Sequence, residues 1–371
     1  MNYDRVNIVG GGNSSGGVRI ITVGDIMLAR EVGEKIRQSK SSTFLTEKVG
    51  KIFDSADIVL GNLESPISET ATKTGAFKAP PESAGVVSKF SVVSLANNHI
   101  FDCGDEGIKD TIDILVENKV HYAGIGESEA EAYKPTILNI KKRAIAVFAC
   151  TTSALFKDAP ISQYEVAFIE NSRVLKNIQD IRNEVNFTIL LFHGGDEFIP
   201  YPPPSTRNSL RDLALNGVDL LVGHHPHVLS GYEKIGDDKL IWYSLGDFIF
   251  DSPVENRRRS GILSLRADEH RIGAFELIPT YIDDSLQVTE AGGELSETIL
   301  KSIAELSAKL HSKSYEKDYA MVYAKEFLRF QIERLRSICK QKGLVGTVSF
   351  LLSRARYFPH HVSKLLKNKR A

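Results

Sequence analysis

The chain has 371 residues, 42% of them hydrophobic and 25% charged, with a formal net charge of −1. That size suits one large domain with an appendage, or two domains. The near-zero charge excludes a global electrostatic pull toward nucleic acid. Cys103, Cys150 and Cys339 are odd in number and far apart, so no disulfide framework or CxxC zinc pattern is expected. A reducing compartment is the simplest reading. With no bilayer-spanning apolar run and no signal-peptide core at the start, a cytoplasmic protein is expected.

Residues 1–18 read as a flexible leader. Gly10, Gly12 and Ser15 imitate part of a dinucleotide fingerprint, but a strand follows them instead of the helix that would hold a pyrophosphate. Residues 20–23 form a short β-branched strand closed by Gly24-Asp25, and a helix is predicted over 29–40. A strand over 57–60 runs into Gly61-Asn62-Leu63-Glu64. A third, over 91–96, runs into Asn97-Asn98-His99, with Asp102 three residues beyond. A helix over 105–118, strands over 120–124 and 144–149, a loop over 151–170 and a helix over 172–185 follow.

The stretch from 187 to 251 then organises the rest. Two buried-strand patterns, 188–192 and 218–223, are separated by a helix near 205–216. The first strand exits into His193 and the second into His224, His225 and His227. Strands this apolar are buried on both sheet faces, and open α/β sheets bind ligands at such carboxyl ends. A lone histidine there is usually a hydrogen-bonded structural residue, which is the reading for His224. His225-Pro226-His227 differs, because one proline-stiffened turn projects two imidazoles. Asp25, Glu64, Asn98, His193, His225 and His227 therefore all stand at strand exits, and each residue type can bind a divalent cation. Mixed nitrogen and oxygen donors admit manganese, iron or zinc, one ion or two.

Strands over 239–244 and 248–250 and a hairpin over 261–266 and 273–279 complete an order that fits two packed sheets flanked by helices. From about 296 the pattern becomes helical. Ile299, Leu300, Ile303, Leu306 and Leu310 form one stripe, and a longer helix is predicted over 319–340. Residues 354–370 are basic with no acidic counterpart and lie near Phe350, Leu351, Leu352, Tyr357 and Phe358. Peripheral contact with an anionic membrane surface is the partner this tail predicts, at the inner face of the membrane.

The ordered motifs ITVGDIML, GNLESPIS, SLANNHIFDCGDEG, YAGIG, FHGGDEF, VGHHPHV and YSLGDFIFD resemble the CapA-type family of poly-γ-glutamate capsule biosynthesis, itself similar to calcineurin-like metallophosphoesterases. The resemblance covers about residues 19–279 and implies an α/β fold, a four-layer αββα sandwich with domain bounds 19–283; the helical C-terminal appendage read from the pattern occupies 296–371. It implies that Asp25, Glu64, Asn98, His193, His225 and His227 ligate a metal centre, with Glu64 the candidate bridge and Asn62 beside it. His99 would protonate a leaving group or hold phosphate, and Asp102 would orient it. The implied activity is metal-dependent hydrolysis of a phosphorylated or polyanionic substrate. Alternatives are a metal-binding assembly subunit without turnover and an amide-bond enzyme acting on polyglutamate. Three positions depart from the family pattern: Met27 replaces a histidine, Gly194 an aromatic residue, and Asp247 an asparagine. Arg30, on the first helix, is read either as an anion contact or as a surface ion pair.

Overall fold

The computed structural model describes residues 17–39, 44–72, 77–156 and 161–355. The leader up to residue 16 and the tail from residue 356 lie outside the described residues. The chain divides into two compact units between Glu316 and Lys317. The helix α8 (Gly293–Leu310) belongs to the first, and most of α9 (Tyr315–Ala355) to the second.

Two sheets dominate the first unit. One contains, in spatial order, β16 (Val288–Glu290), β15 (Arg271–Ile282), β14 (Arg259–Asp268), β1 (Val18–Ile26), β2 (Ile58–Leu63), β3 (Val92–Ser94) and β4 (His121–Ala123). Here β1 to β4 are mutually parallel, and β13 (Asp247–Ile249) also pairs in parallel with β1. The second sheet runs β11 (Tyr232–Ile235), β12 (Lys239–Trp242), β10 (Leu220–His224), β9 (Phe187–His193), β7 (Arg143–Thr151) and β6 (Thr136–Ile140). Its centre, β12 to β7, is parallel. A small ribbon joins β5 (Ile125–Gly126) to β8 (Glu165–Val166), the latter inside the stretch over 151–170 expected to be loop.

Alternation along the strands makes the layers. In β9, Phe187, Ile189 and Leu191 enter the core shared by both sheets, while Leu190 and Phe192 are buried outside it. Strand geometry puts that second set on the opposite face, where α6 (Asn171–Ile181) and α7 (Pro204–Asn216) contribute Val174, Ile178, Leu210 and Leu213. Helices α1 (Arg30–Ser39), α2 (Glu47–Asp54), α3 (Ala84–Val87) and α4 (Gly104–Glu117) follow the strands of the first sheet, and α5 (Glu129–Ala132) packs on the small ribbon. The architecture is the expected four-layer αββα sandwich. Each large apolar side chain fully buried in it is worth about 1.5–3 kcal/mol relative to exposure.

Local chemistry sets the helix ends. Pro204 opens α7, where its missing N–H costs nothing, and Gly217 follows the helix at a φ of +150°. Asp105 and Glu106 place negative charge in the first turn of α4, favourable at a helix N-terminus.

One polar network braces the loop that follows His193. Glu233 is fully buried and accepts from Arg207 Nε (2.9 Å) and Nη2 (2.5 Å), Arg211 Nη1 (2.7 Å) and the Tyr243 hydroxyl (2.5 Å). Tyr315 stacks under the Arg207 guanidinium and donates to the Pro202 carbonyl. Burial pushes the Glu233 carboxyl up, but hydrogen bonds from Arg207 and Tyr243 and the two guanidinium charges outweigh it and hold it below the ordinary value. The network therefore contributes its full stability above about pH 4.3, the ordinary carboxylate pKa. It loses that contribution as pH falls through the lower folded value. Glu233→Gln is expected to cost about 3 kcal/mol at neutral pH and to flatten the acid limb of a stability–pH profile. Urea midpoints measured across the acid range check both effects.

Candidate metal centre

The parallel strands of both sheets end at one place. Register pairs Asp25 of β1 with Asn62 of β2 on one side and with Asp247 of β13 on the other. In the second sheet His193 pairs with His224 and with Thr151. Two glycines permit this convergence. A Cβ on Gly24 would lie 1.7 Å from the Gly246 carbonyl oxygen, and Gly246 itself has a φ of +74°. The Gly246 carbonyl accepts from the Asp25 N–H at 3.0 Å, so the two acidic strand ends are locked side by side. Gly24→Ala is expected to destabilise the fold by about 3 kcal/mol and to displace Asp25. Chemical denaturation together with metal analysis of the folded fraction measures both consequences.

The histidine turn is held under backbone strain. His225 has a φ of +95° and His227 of +56°, a region costly for residues with a side chain. The His225 N–H donates to Asp25 Oδ2 at 3.0 Å. His227 Nδ1 lies 2.7 Å from Asp247 Oδ1 and 3.6 Å from Asp25 Oδ2, while its Nε2 lies 3.6 Å from Glu64 Oε1. The Asp247 carboxylate thus favours a proton on Nδ1 and turns Nε2 toward Glu64. His224 turns away and meets the Val23 carbonyl at 3.2 Å, as a structural residue would.

On the other side, Asn62 Nδ2 donates to Asp25 Oδ1 at 2.8 Å and lies 3.1 Å from His193 Nδ1. Asn98 Oδ1 lies 2.8 Å from His193 Nε2, and Glu64 Oε1 lies 3.9 Å from that same nitrogen. The spacing of Asn98 and His193 suits two ligand atoms sharing one cation as well as it suits a hydrogen bond. Asn97 fixes the turn, donating to the Leu63 carbonyl at 2.9 Å and to Asn62 Oδ1 at 3.3 Å, and accepting from the His99 N–H at 3.1 Å. The structure brings Asp25, Glu64, Asn98, His193, His225 and His227 together. Asp247 and Asn62 stand beside them, in contact with His227 and with Asp25 respectively.

Whether these residues fit a cation can be tested on their unsatisfied atoms. Both Glu64 oxygens and His225 Nδ1 are buried without a hydrogen-bond partner among the described residues. Glu64, His225 and His227 offer donor atoms within 4.8 Å of one another, as do Asp25, His227 and Asp247. Burial, and then the neighbouring Asp25 charge, push the Glu64 carboxyl well above its ordinary range, and burial raises Asp247 to about 6. Burial holds His193 well below its ordinary value and His225 down at about 3, so both are neutral imidazoles, the ligating form. Burial opposes a proton on His227, but Glu64, Asp247 and Asp25 outweigh it and raise its pKa. Three buried carboxyl groups beside two neutral imidazoles form a site whose negative charge must be offset by protons or cations, and divalent cations can take the place of the protons. The donor set fits.

Beside it stand the two expected catalytic residues. His99 Nδ1 lies 3.1 Å from Asp102 Oδ2. Phe77 covers the His99 ring at a centroid distance of 4.0 Å, and its N–H donates to Asp102 at 3.3 Å. The Arg30 guanidinium lies over Phe77 and Phe250, at 4.7 and 5.1 Å, and pairs with Asp251. Arg30 is thus an ion-paired lid on the aromatic rim. Met27 is fully buried, and its sulfur accepts from the Ala29 N–H at 3.2 Å, so it faces packing.

Residues 19–252 match the family model described as bacterial capsule synthesis protein PGA_cap. The chain belongs to this family. It is 28% identical over 297 residues to the PGA biosynthesis protein CapA of Bacillus subtilis (strain 168), an alignment covering 76% of this chain and 77% of the relative. It is 26% identical over 276 residues to the capsule biosynthesis protein CapA of Bacillus anthracis, covering 71% and 67% respectively. A solved structure of a putative 5'-nucleotidase from Staphylococcus aureus is similar at a TM-score of 0.47 and 14% identity, covering 78% of this chain and 58% of that one. In this PGA_cap member the matched segment contains every strand-exit residue that converges on the centre. Among the described residues, no helix is long and apolar enough to cross a membrane.

Proposed function

We propose that this PGA_cap-family chain is a metal-dependent hydrolase of phosphoesters that serves capsule or cell-surface polymer biosynthesis, a poly-γ-glutamate-like polymer included. The observation that carries the reading is a spare imidazole. His99 is outside the orphaned donor cluster, one residue beyond Asn98, and has its own carboxylate partner.

Asp25, Glu64, Asn98, His193, His225 and His227 would hold one or two divalent cations, with Asp247 holding His227. Bound there, the cations would supply Lewis acidity toward a phosphoryl oxygen. The chain's own groups do the rest. Asp102 engages His99 Nδ1 and leaves Nε2 as the nitrogen that gives a proton to the leaving oxygen. Phe77 presses on the imidazole ring and anchors Asp102 through its backbone N–H, limiting rotation of both. Phe250, 5.1 Å from the His227 ring, shields the other side and keeps water from the buried carboxylates.

A second reading, an assembly subunit that binds metal without turnover, draws on Met27, a packed thioether at the position where the family pattern has a histidine. Metal analysis of purified chain, paired with hydrolysis of bis-p-nitrophenyl phosphate under added manganese, separates the two. Metal-dependent turnover of this ester supports the hydrolase. Full metal occupancy with no turnover supports the subunit and removes the hydrolase.

A further inference from the structure

The second unit carries a separate signal. In α9, Met321, Leu328 and Ile332 follow one side of the helix and Phe327 and Phe330 project from others. All five are between 43% and 59% exposed. A surface helix of a globular protein confines such residues to one buried stripe. This helix displays them around its girth.

The charge of the chain is divided at the same place. Of 46 lysines and arginines, ten fall after Glu333, where no aspartate or glutamate occurs. The preceding residues therefore hold 36 basic side chains against all 47 acidic ones. Between Lys342 and Arg354 the sequence has no charge, and Leu344, Val345, Val348, Phe350, Leu351 and Leu352 make it apolar. Basic residues thus flank an apolar interval on both sides.

We propose that this C-terminal region is a membrane-surface element, lying in the plane of an anionic lipid bilayer. Three other occupants fit less well. A parallel second copy would bring ten positive charges against ten more, with no acid to pair them. A soluble polyanion would use the charges but not the apolar interval. A crossing is excluded for the described helices, none of which is long and apolar enough. An anionic interface uses both features, because apolar side chains enter the acyl boundary while lysine and arginine meet the headgroups. The inference does not depend on the chemistry at the metal centre.

Flotation of the full chain tests it. The chain should rise with phosphatidylcholine vesicles containing about 30% phosphatidylglycerol, stay down with phosphatidylcholine alone, and detach near 1 M salt, where screening shortens to about 3 Å. Each basic residue near the surface contributes about five-fold to partition, so the triple variant Lys364→Gln, Lys367→Gln, Lys369→Gln should bind on the order of a hundred-fold more weakly. Leu328→Glu combined with Ile332→Glu, at exposed positions, should also weaken flotation while circular dichroism stays unchanged. Equal flotation on neutral vesicles, none on anionic ones, or an unaffected triple variant would overturn the proposal. So would a concentration-dependent dimer in sedimentation that Leu328→Glu dissolves, in the absence of flotation.

Discussion

His99→Ala is expected to leave metal content intact while lowering turnover of an alkyl phosphodiester by about two to four orders of magnitude. The two halves of this expectation have separate causes. His99 contributes none of the orphaned donor atoms, since its Nδ1 is occupied by Asp102 at 3.1 Å. Its removal leaves a gap under Phe77 and touches no ligand. The loss of rate follows from the leaving group, because an alkoxide departs slowly unless it receives a proton. The same variant should lose much less with bis-p-nitrophenyl phosphate, whose phenolate departs without one. That difference distinguishes proton donation from phosphate binding, which would slow both esters alike. A variant that turns over the alkyl ester at the wild-type rate would exclude His99 from the chemistry, and one that loses its metal would place it among the ligands.

The strand-exit residues were legible in the sequence because doubly buried parallel strands are written as continuous apolar runs. In such a run the polar residues at its end mark the sheet edge, which is how Asp25, His193 and the turn from His224 to His227 stood out. Histidine conformation was partly legible too, through the proline between His225 and His227. What stayed hidden depends on pairing between distant segments. Nothing local to Asp247 says that β13 lies against β1, 222 residues earlier, in register with Asp25. Phe77 sits in a stretch without periodic pattern, so its place over His99 comes from the fold alone. The edge strand β6 (Thr136–Ile140) buries mainly Leu138, too little alternation for a strand to be read before its hairpin with β7. The Glu233 network was invisible for a similar reason, since its partners come from α7 and from the chain after β12.

Glu64→Gln should affect the two states of the centre in opposite directions. Without cations, the native carboxyl group is fully buried, has no hydrogen-bond partner for either oxygen among the described residues, and lies near the acidic Asp25 and Asp247. An amide of nearly the same shape removes an acidic group that burial disfavours in its charged form, so the chelator-treated variant should be as stable as the native chain or more so. With cations the order reverses. A ligand present at a thousand times its dissociation constant stabilises a folded protein by about 4 kcal/mol, and Glu64 Oε1 faces the Nε2 atoms of both His193 and His227, at 3.9 and 3.6 Å. Losing its charge should therefore erase most of the metal-induced rise in melting temperature. The comparison needs four melts, native and variant, each with manganese and with chelator. A variant that keeps the full metal-induced rise would show that the orphaned carboxylate is not a ligand. The cluster would then be a buried polar network, with its negative charge held by shared protons instead of cations.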